Sequence, residues 1–154
     1  MEVGATAPSF ELAGTPGELV ELEDYLGRTK IVLLFYPLAF SGVCTTELCT
    51  VRDRWAEFED LDAAVFGISV DSPFATTAFR AAESIPFPLL SDFNREVSRR
   101  WDVLYDEFFG MQGVSKRAVF VIGTDGIVAY AWVTEDADVE PDYDAVKAAV
   151  DAAP

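Results

Sequence analysis

Lys30-Ile31-Val32-Leu33-Leu34-Phe35-Tyr36-Pro37-Leu38-Ala39-Phe40-Ser41-Gly42-Val43-Cys44-Thr45-Thr46-Glu47-Leu48-Cys49 is the stretch from which the rest of the chain can be read. After Lys30 it runs apolar without a polar interruption as far as Tyr36. Such a run suits a central strand covered on both faces. Pro37 stops it, a short loop follows, and a helix is expected from about Gly42 to Asp60. Within that helix Leu48, Val51, Trp55 and Phe58 recur at spacings of three or four. Cys44 falls in the first turn, where exposed N–H groups and the positive end of the helix dipole favour thiolate over thiol. Cys49 follows on the same helix, and the chain has no other cysteine.

Outward from this stretch, strand and helix signals alternate. Ser9 to Ala13 and Glu18 to Val20 predict short strands around the turn Gly14-Thr15-Pro16-Gly17. Ala63 to Val70 predicts a second buried strand. Asp71-Ser72-Pro73 predicts an N-cap and first-turn proline for a helix reaching about Ser84. Pro86 and Pro88 exclude a helix between Ile85 and Pro88. Ser91-Asp92 is expected to cap a short helix through Arg100, and an aromatic loop runs from Trp101 to Gly113. Arg117 to Ile122 and Ile127 to Val133 predict a hairpin around Gly123-Thr124-Asp125-Gly126. Pro141 or Asp142 opens a last helix with Tyr143, Val146 and Val150 on one face. There is no internal repeat and no linker, so residues 1–154 are expected to form one domain. A βαβ unit followed by a hairpin and a closing helix is the thioredoxin-like α/β pattern, with a mixed sheet flanked by helices and an N-terminal β-hairpin extension.

Composition removes several classes of function. The chain has 154 residues, 27 acidic against 11 basic, no histidine, and a net charge of −16. Without histidine there is no Cys-His dyad, histidine-bound zinc or histidine-held haem, and two cysteines cannot make a four-thiolate metal site. A thiol that carries the electrons itself needs neither metal nor organic cofactor, and none is expected. Such acidity disfavours nucleic acid and anionic membranes as partners. The longest apolar run, Ile31 to Phe40, is about half of the roughly 20 residues that span a bilayer. Met1-Glu2-Val3 lacks the charged and apolar regions of a signal peptide, so a soluble, cytoplasmic protein is expected. A globule of this mass exposes roughly 7,700 Å². Charge at that density tolerates concentrated salt better than dilute, and eight of the eleven basic residues are arginine. A halophilic cytoplasm fits this balance.

Pro37-x-x-x-Ser41-x-x-Cys44 resembles the signature of the peroxiredoxin family, in which threonine is more usual at the serine position. Glu47 and Arg117 also match that family. The resemblance extends from Gly4-Ala5-x-Ala7-Pro8-x-Phe10 to the C-terminal segment. Within the family the chain is similar to the bacterioferritin-comigratory (peroxiredoxin Q) subgroup, which shares the gap between the cysteines. It also resembles alkyl hydroperoxide reductase E through Phe35 to Phe40 and Pro88 to Asp92.

The resemblance implies a thiol peroxidase that reduces H₂O₂ and organic hydroperoxides through a cysteine sulfenic acid. In that reading Cys44 is the peroxidatic thiol, and Pro37 shields it. The Ser41 hydroxyl, the backbone N–H of Val43 and Arg117 bind the peroxide, while Glu47 orients Arg117. Cys49 is implied to resolve the sulfenic acid through an intramolecular disulfide with Cys44. On an intact helix their Cα atoms would lie about 8.6 Å apart, beyond the roughly 7 Å limit for a disulfide. The first turns must then unwind, with Gly42 as hinge. A thioredoxin- or glutaredoxin-like reductant is the implied partner, and the protein a monomer or homodimer. Two alternatives stay open, a thioredoxin-like disulfide oxidoreductase and a non-catalytic thiol sensor. For the aromatic residues Trp101, Tyr105, Phe108 and Phe109, core packing is the expectation over a substrate entrance. The acidic tract from Glu135 to Asp144 is expected to be a solvated face, and Arg52, Arg54, Arg99 and Arg100 to pair at the surface.

Overall fold

In the computed structural model, which describes residues 1–154, Lys30–Phe35 forms an interior strand of a seven-stranded sheet. The strands are β1 (Glu11–Ala13), β2 (Leu19–Glu21), β3 (Lys30–Phe35), β4 (Ala63–Ser69), β5 (Leu89–Ser91), β6 (Arg117–Ile122) and β7 (Val128–Thr134). The helices are α1 (Gly42–Asp53), α2 (Trp55–Glu59), α3 (Pro73–Ala82), α4 (Glu96–Arg100) and α5 (Tyr143–Ala152). Sheet order is β2-β1-β5-β4-β3-β6-β7. β3, β4 and β5 are parallel to one another, β6 is antiparallel to β3, and β7 is antiparallel to β6. The β1–β2 hairpin joins β5 through the pair Ala13 and Ser91.

β3 is buried on both faces because alternate side chains serve two separate cores. Ile31, Leu33 and Phe35 pack with Phe66, Trp101 and Phe120 on one side. Val32, Leu34 and Tyr36 pack with Leu48, Val51, Phe79, Val146 and Val150 on the other. Thus α1, α2, α3 and α5 cover one face, and α4 with the N-terminal segment covers the other.

The expected helix over 42–60 is broken at Arg54 (φ −102°, ψ 18°). The break turns Trp55 to stack on Phe87 at 5.5 Å and lets Phe58 enter the core. Ser91 is a strand residue, not a cap, because Leu89–Ser91 pairs with β4. The N-cap position of α4 is Arg95, and Asp92 from three residues upstream accepts from Val97 N and Ser98 N at 3.2 and 2.6 Å. α3 stops at Ala82, two residues early, where Ser84 takes a left-handed φ of 52°. Its N-cap is Ser72, whose hydroxyl accepts from Ala75 N. The last helix is capped by Asp142 as expected.

Candidate active site

Two register facts bring the site together. β6 lies antiparallel to β3 with Ala118 opposite Phe35, so Arg117 at the start of β6 sits beside the loop that leaves β3. In α1, positions 44, 47, 48 and 51 share one face, and all four are buried. That periodicity points Cys44 and Glu47 inward one turn apart.

Arg117 is 1% exposed, and each nitrogen of its guanidinium donates at least one hydrogen bond. Nη1 donates to Glu47 Oε2 at 3.1 Å, and Nη2 donates to Cys44 Sγ at 3.3 Å. Nε and Nη2 both donate to the Ala137 carbonyl, at 3.1 and 2.9 Å. Burial pulls the guanidinium's pKa down, but Glu47 and the Cys44 sulfur outweigh it and leave Arg117 raised. Burial pushes the Glu47 carboxyl up to about 7, against the pull of Arg117. Its second oxygen has no partner, which adds to the cost of ionising it.

Ser41 occupies the N-cap position of α1, but its hydroxyl does not cap the helix. Oγ donates back to the Leu38 carbonyl at 2.7 Å, because the loop turns tightly there and its carbonyl needs a donor. With its proton so committed, the hydroxyl offers lone pairs to a ligand. The first intrahelical bond runs from Thr45 N to the Ser41 carbonyl at 2.9 Å. The N–H groups of Gly42, Val43 and Cys44 therefore lack an intrahelical acceptor. Phe40, just before the cap, has a left-handed φ of 65°.

Asp71 holds this loop from across the sheet: its Oδ2 accepts from Ala39 N at 2.7 Å and from Ser69 Oγ at 2.6 Å. Pro37, Leu38, Val43, Cys44 and Arg117 line a pocket of about 310 Å³ whose other wall is Phe108, Phe109 and Ala137. The sequence singled out Asp71 only as part of the N-cap signal of α3, and the Ala137 carbonyl not at all. Both act over long chain separations, and a backbone carbonyl has no residue-type signal.

Cys49 opens elsewhere. It is a half-buried free thiol in a groove lined by Phe40, Thr45, Thr46 and Asp53. Its sulfur lies 3.4 Å from Glu83 Oε2. Burial and then the hydrogen bond to Glu83 push its pKa up, so Cys49 is a protonated thiol at neutral pH. The two sulfurs thus occupy different pockets on one intact helix.

The aromatic residues divide. Trp101 is fully buried against Phe35 and Phe120, as core packing requires. Tyr105, Phe108 and Phe109 line a groove beside the thiol pocket instead, in a loop pinned by the isolated bridges Leu104–Ser115 and Phe108–Met111. Arg52 and Arg54 pair at the surface with Asp53, Glu83, Glu57 and Asp144. No group of three or more cysteine, aspartate or glutamate side chains is arranged to hold a metal ion.

A buried thiol at a helix start, held by an arginine that a buried carboxylate holds in turn, agrees with the comparisons to known proteins. The AhpC/TSA family model matches residues 3–131. This chain belongs to the AhpC/TSA family. It is 37% identical over 141 residues to alkyl hydroperoxide reductase E of Mycobacterium tuberculosis, covering 90% of each chain. It is 35% identical over 143 residues to a chloroplastic 2-cysteine peroxiredoxin of Chattonella marina var. antiqua, covering 86% of this chain and 71% of the relative. Among solved structures, peroxidoxin BcpB of Mycobacterium tuberculosis superposes with a TM-score of 0.85 at 32% identity, covering 97% of this chain and 96% of that one. The fold is the thioredoxin-like fold of the peroxiredoxins. The protein is a peroxiredoxin, a thiol-dependent peroxidase. That is the first of the three activities the sequence leaves open. No helix is long and apolar enough to cross a membrane.

Proposed function

We propose that Cys44 is the peroxidatic thiol and that residues 1–154 form one catalytic domain around it. The observation that carries this is the single guanidinium of Arg117, which donates both to Cys44 Sγ at 3.3 Å and to Glu47 at 3.1 Å. The Cys44 sulfur attacks the nearer oxygen of H₂O₂ or an organic hydroperoxide in line with the O–O bond. The S–O bond forms as O–O breaks. The leaving oxygen takes a proton and departs as water or alcohol, and Cys44 is left as sulfenic acid. Arg117 and the N–H groups of Val43 and Cys44 face the charge that grows on the departing oxygen. They stabilise it more than they stabilise bound peroxide. Ser41 accepts a peroxide O–H, and Pro37 walls the pocket.

Cys49 resolves the sulfenic acid: its thiol attacks Cys44 sulfur, water leaves, and a disulfide forms. A thioredoxin- or glutaredoxin-like dithiol then reduces that disulfide by exchange. Every side chain named comes from one chain, so a monomer suffices for the chemistry, and a homodimer would carry two such sites. The setting is a salt-rich cytoplasm.

The test is stopped-flow tryptophan fluorescence after mixing reduced protein with H₂O₂. Wild type should show a second-order transient, and Cys44→Ser should show none. A transient of equal rate in Cys44→Ser removes Cys44 from the role. For resolution, wild type given one equivalent of H₂O₂ should lose both free thiols and gain no dimedone adduct, whereas Cys49→Ser should keep a trappable sulfenic acid. One thiol left free in wild type makes Cys49 a bystander.

A further inference from the structure

Cys49 is held from the side by the end of α3. Its thiol donates to Glu83 Oε2 at 3.4 Å, in the groove it shares with Phe40 and Gly42. Glu83 is the C-cap of α3, and its N–H keeps a helical bond to the Phe79 carbonyl at 3.1 Å. Its own carbonyl accepts from Arg52 Nη1 at 2.6 Å, so backbone as well as side chain ties it to α1. One turn earlier in α3, the fully buried Phe79 meets the Phe40 ring at 5.0 Å. α3 therefore grips both flanks of the turns that must unwind, at Phe40 before them and at Cys49 after them.

The charged groups that face Cys49 are Glu83 from α3 and Arg52 and Asp53 from α1 itself. Arg52 Nε donates to Asp53 at 2.9 Å and Nη1 donates to the Glu83 carbonyl, while Nη1 stays 3.9 Å from Glu83 Oε2. The one cation thus spends its hydrogen bonds elsewhere than on the carboxylate that touches sulfur. A carboxylate against a thiol favours S–H over thiolate. Burial and this hydrogen bond raise the Cys49 pKa, with Arg52 pulling the other way.

Resting on the assignment of Cys49 as the resolving thiol, we infer that Glu83 is a positioning residue for resolution: its carboxylate holds Cys49 against α3 as a hydrogen-bonded thiol and thereby lengthens the life of the Cys44 sulfenic acid. The attacking species is the thiolate, so Cys49 first gives up its proton to solvent and its bond to Glu83. The S–S bond then forms as the S–O bond of the sulfenic acid breaks, and the oxygen takes up a proton and leaves as water. A tenfold gain in thiolate costs about threefold in nucleophilicity, so about threefold in rate survives. Release of the unwinding turns from α3 acts in the same direction. The contact between sulfur and carboxylate is direct and half-buried, with no room for an ion between them, so the hold persists in molar salt.

The experiment uses Glu83→Gln, which keeps the side chain's length and removes its charge. Glu96→Gln removes the same charge from α4, on the other face of the sheet, as a control. In the Cys44→Ser background Cys49 is the only thiol, and its alkylation by iodoacetamide is followed against pH. Glu83→Gln should move the midpoint to lower pH and raise the rate at pH 7.5 about threefold. Glu96→Gln should do neither. With Cys44 in place and one equivalent of H₂O₂, the second fluorescence phase should be about threefold faster in Glu83→Gln, the first phase unchanged, and the yield of dimedone adduct lower. The same differences should appear in 1 M potassium chloride. An alkylation profile that Glu83→Gln leaves in place overturns the inference. So does an unchanged second phase, or a slower one, which would make Glu83 the base that takes the thiol proton. A wild type that keeps one thiol free after oxidation is a separate result: it strikes the resolving assignment, while the alkylation profile still reads whether Glu83 holds the thiol.

Discussion

Arg117 shows how a charge can be placed in a core. At 1% exposure it would be costly if unpaired, yet every nitrogen of its fork has an acceptor. Removing it leaves Glu47 buried without a counter-ion and Cys44 without a donor. Arg117→Ala should therefore slow H₂O₂ reduction at least tenfold, measured by stopped flow. Arg117→Lys should recover only part, since a point charge cannot reach sulfur, carboxylate and carbonyl together. An unchanged rate in the alanine variant would place Arg117 outside the chemistry. Glu47 makes a prediction of its own. Its folded pKa of about 7 stands above the ordinary carboxyl value of 4.5 because burial penalises the anion. Between those values the folded state binds more protons than the unfolded one. The group's contribution to stability is therefore full below about pH 4.5 and is lost as pH rises through 7. The loss is about 3 kcal/mol at most. Glu47→Gln should flatten the fall of stability between pH 5 and 7.5, read from urea melts, because an amide cannot titrate. Equal slopes in both proteins would show that Glu47 does not titrate there. At this scale the sequence carried residue types at fixed spacing: Cys44, Glu47 and Arg117 were all legible. The Ala137 carbonyl, the Asp71 brace and the direction of the Ser41 proton were not. They depend on where distant loops settle.

Among the elements, α1 carries the most conflict between sequence and task. As a helix it presents Cys44 and its free N–H groups to a ligand, but the same helix keeps Cys49 in another groove beside Glu83. A disulfide requires the first turns to unwind, because about 8.6 Å between Cα atoms exceeds what the bond can span. Gly42 opens the helix with nothing within 4 Å of where a Cβ would stand and without a left-handed φ. Gly42→Ala should thus be sterically free and should favour the helical turn by about 0.5–1 kcal/mol. If unwinding precedes resolution, disulfide formation slows about two- to fivefold while the peroxide step keeps its rate. Following the two fluorescence phases separately checks this; an unchanged second phase would mean that unwinding does not limit resolution. The long elements were visible in the sequence because periodicity is a local signal. The break at Arg54 was hidden, since it is imposed by the packing of Trp55 on Phe87. β5 was hidden for a similar reason: three residues after two prolines have no period, and only pairing to β4 makes them a strand.

The whole molecule carries a net charge of −16 on 7139 Å², about one charge per 450 Å². With no histidine, no side chain has an ordinary pKa between 5 and 8, so this charge changes little near neutrality and salt is the lever that remains. For a sphere of about 20 Å radius, screening from 0.01 M to 1 M salt removes about 12 kcal/mol of self-repulsion. The unfolded chain is relieved too, but less, because its charges are farther apart. If a quarter of the relief survives as a difference, stability rises by about 3 kcal/mol, which for a chain of this size is about 10 °C in Tm. Melts by circular dichroism in 0.01 M and 1 M potassium chloride should show that rise. Neutralising Glu135, Asp136, Asp138 and Glu140 together should shrink it by about 40%, since repulsion grows with the square of the net charge. A Tm that stays flat across that range would sink the salt-rich setting and leave the thiol chemistry untouched, because the site's own charges, Arg117 and Glu47, are buried where added ions cannot screen them.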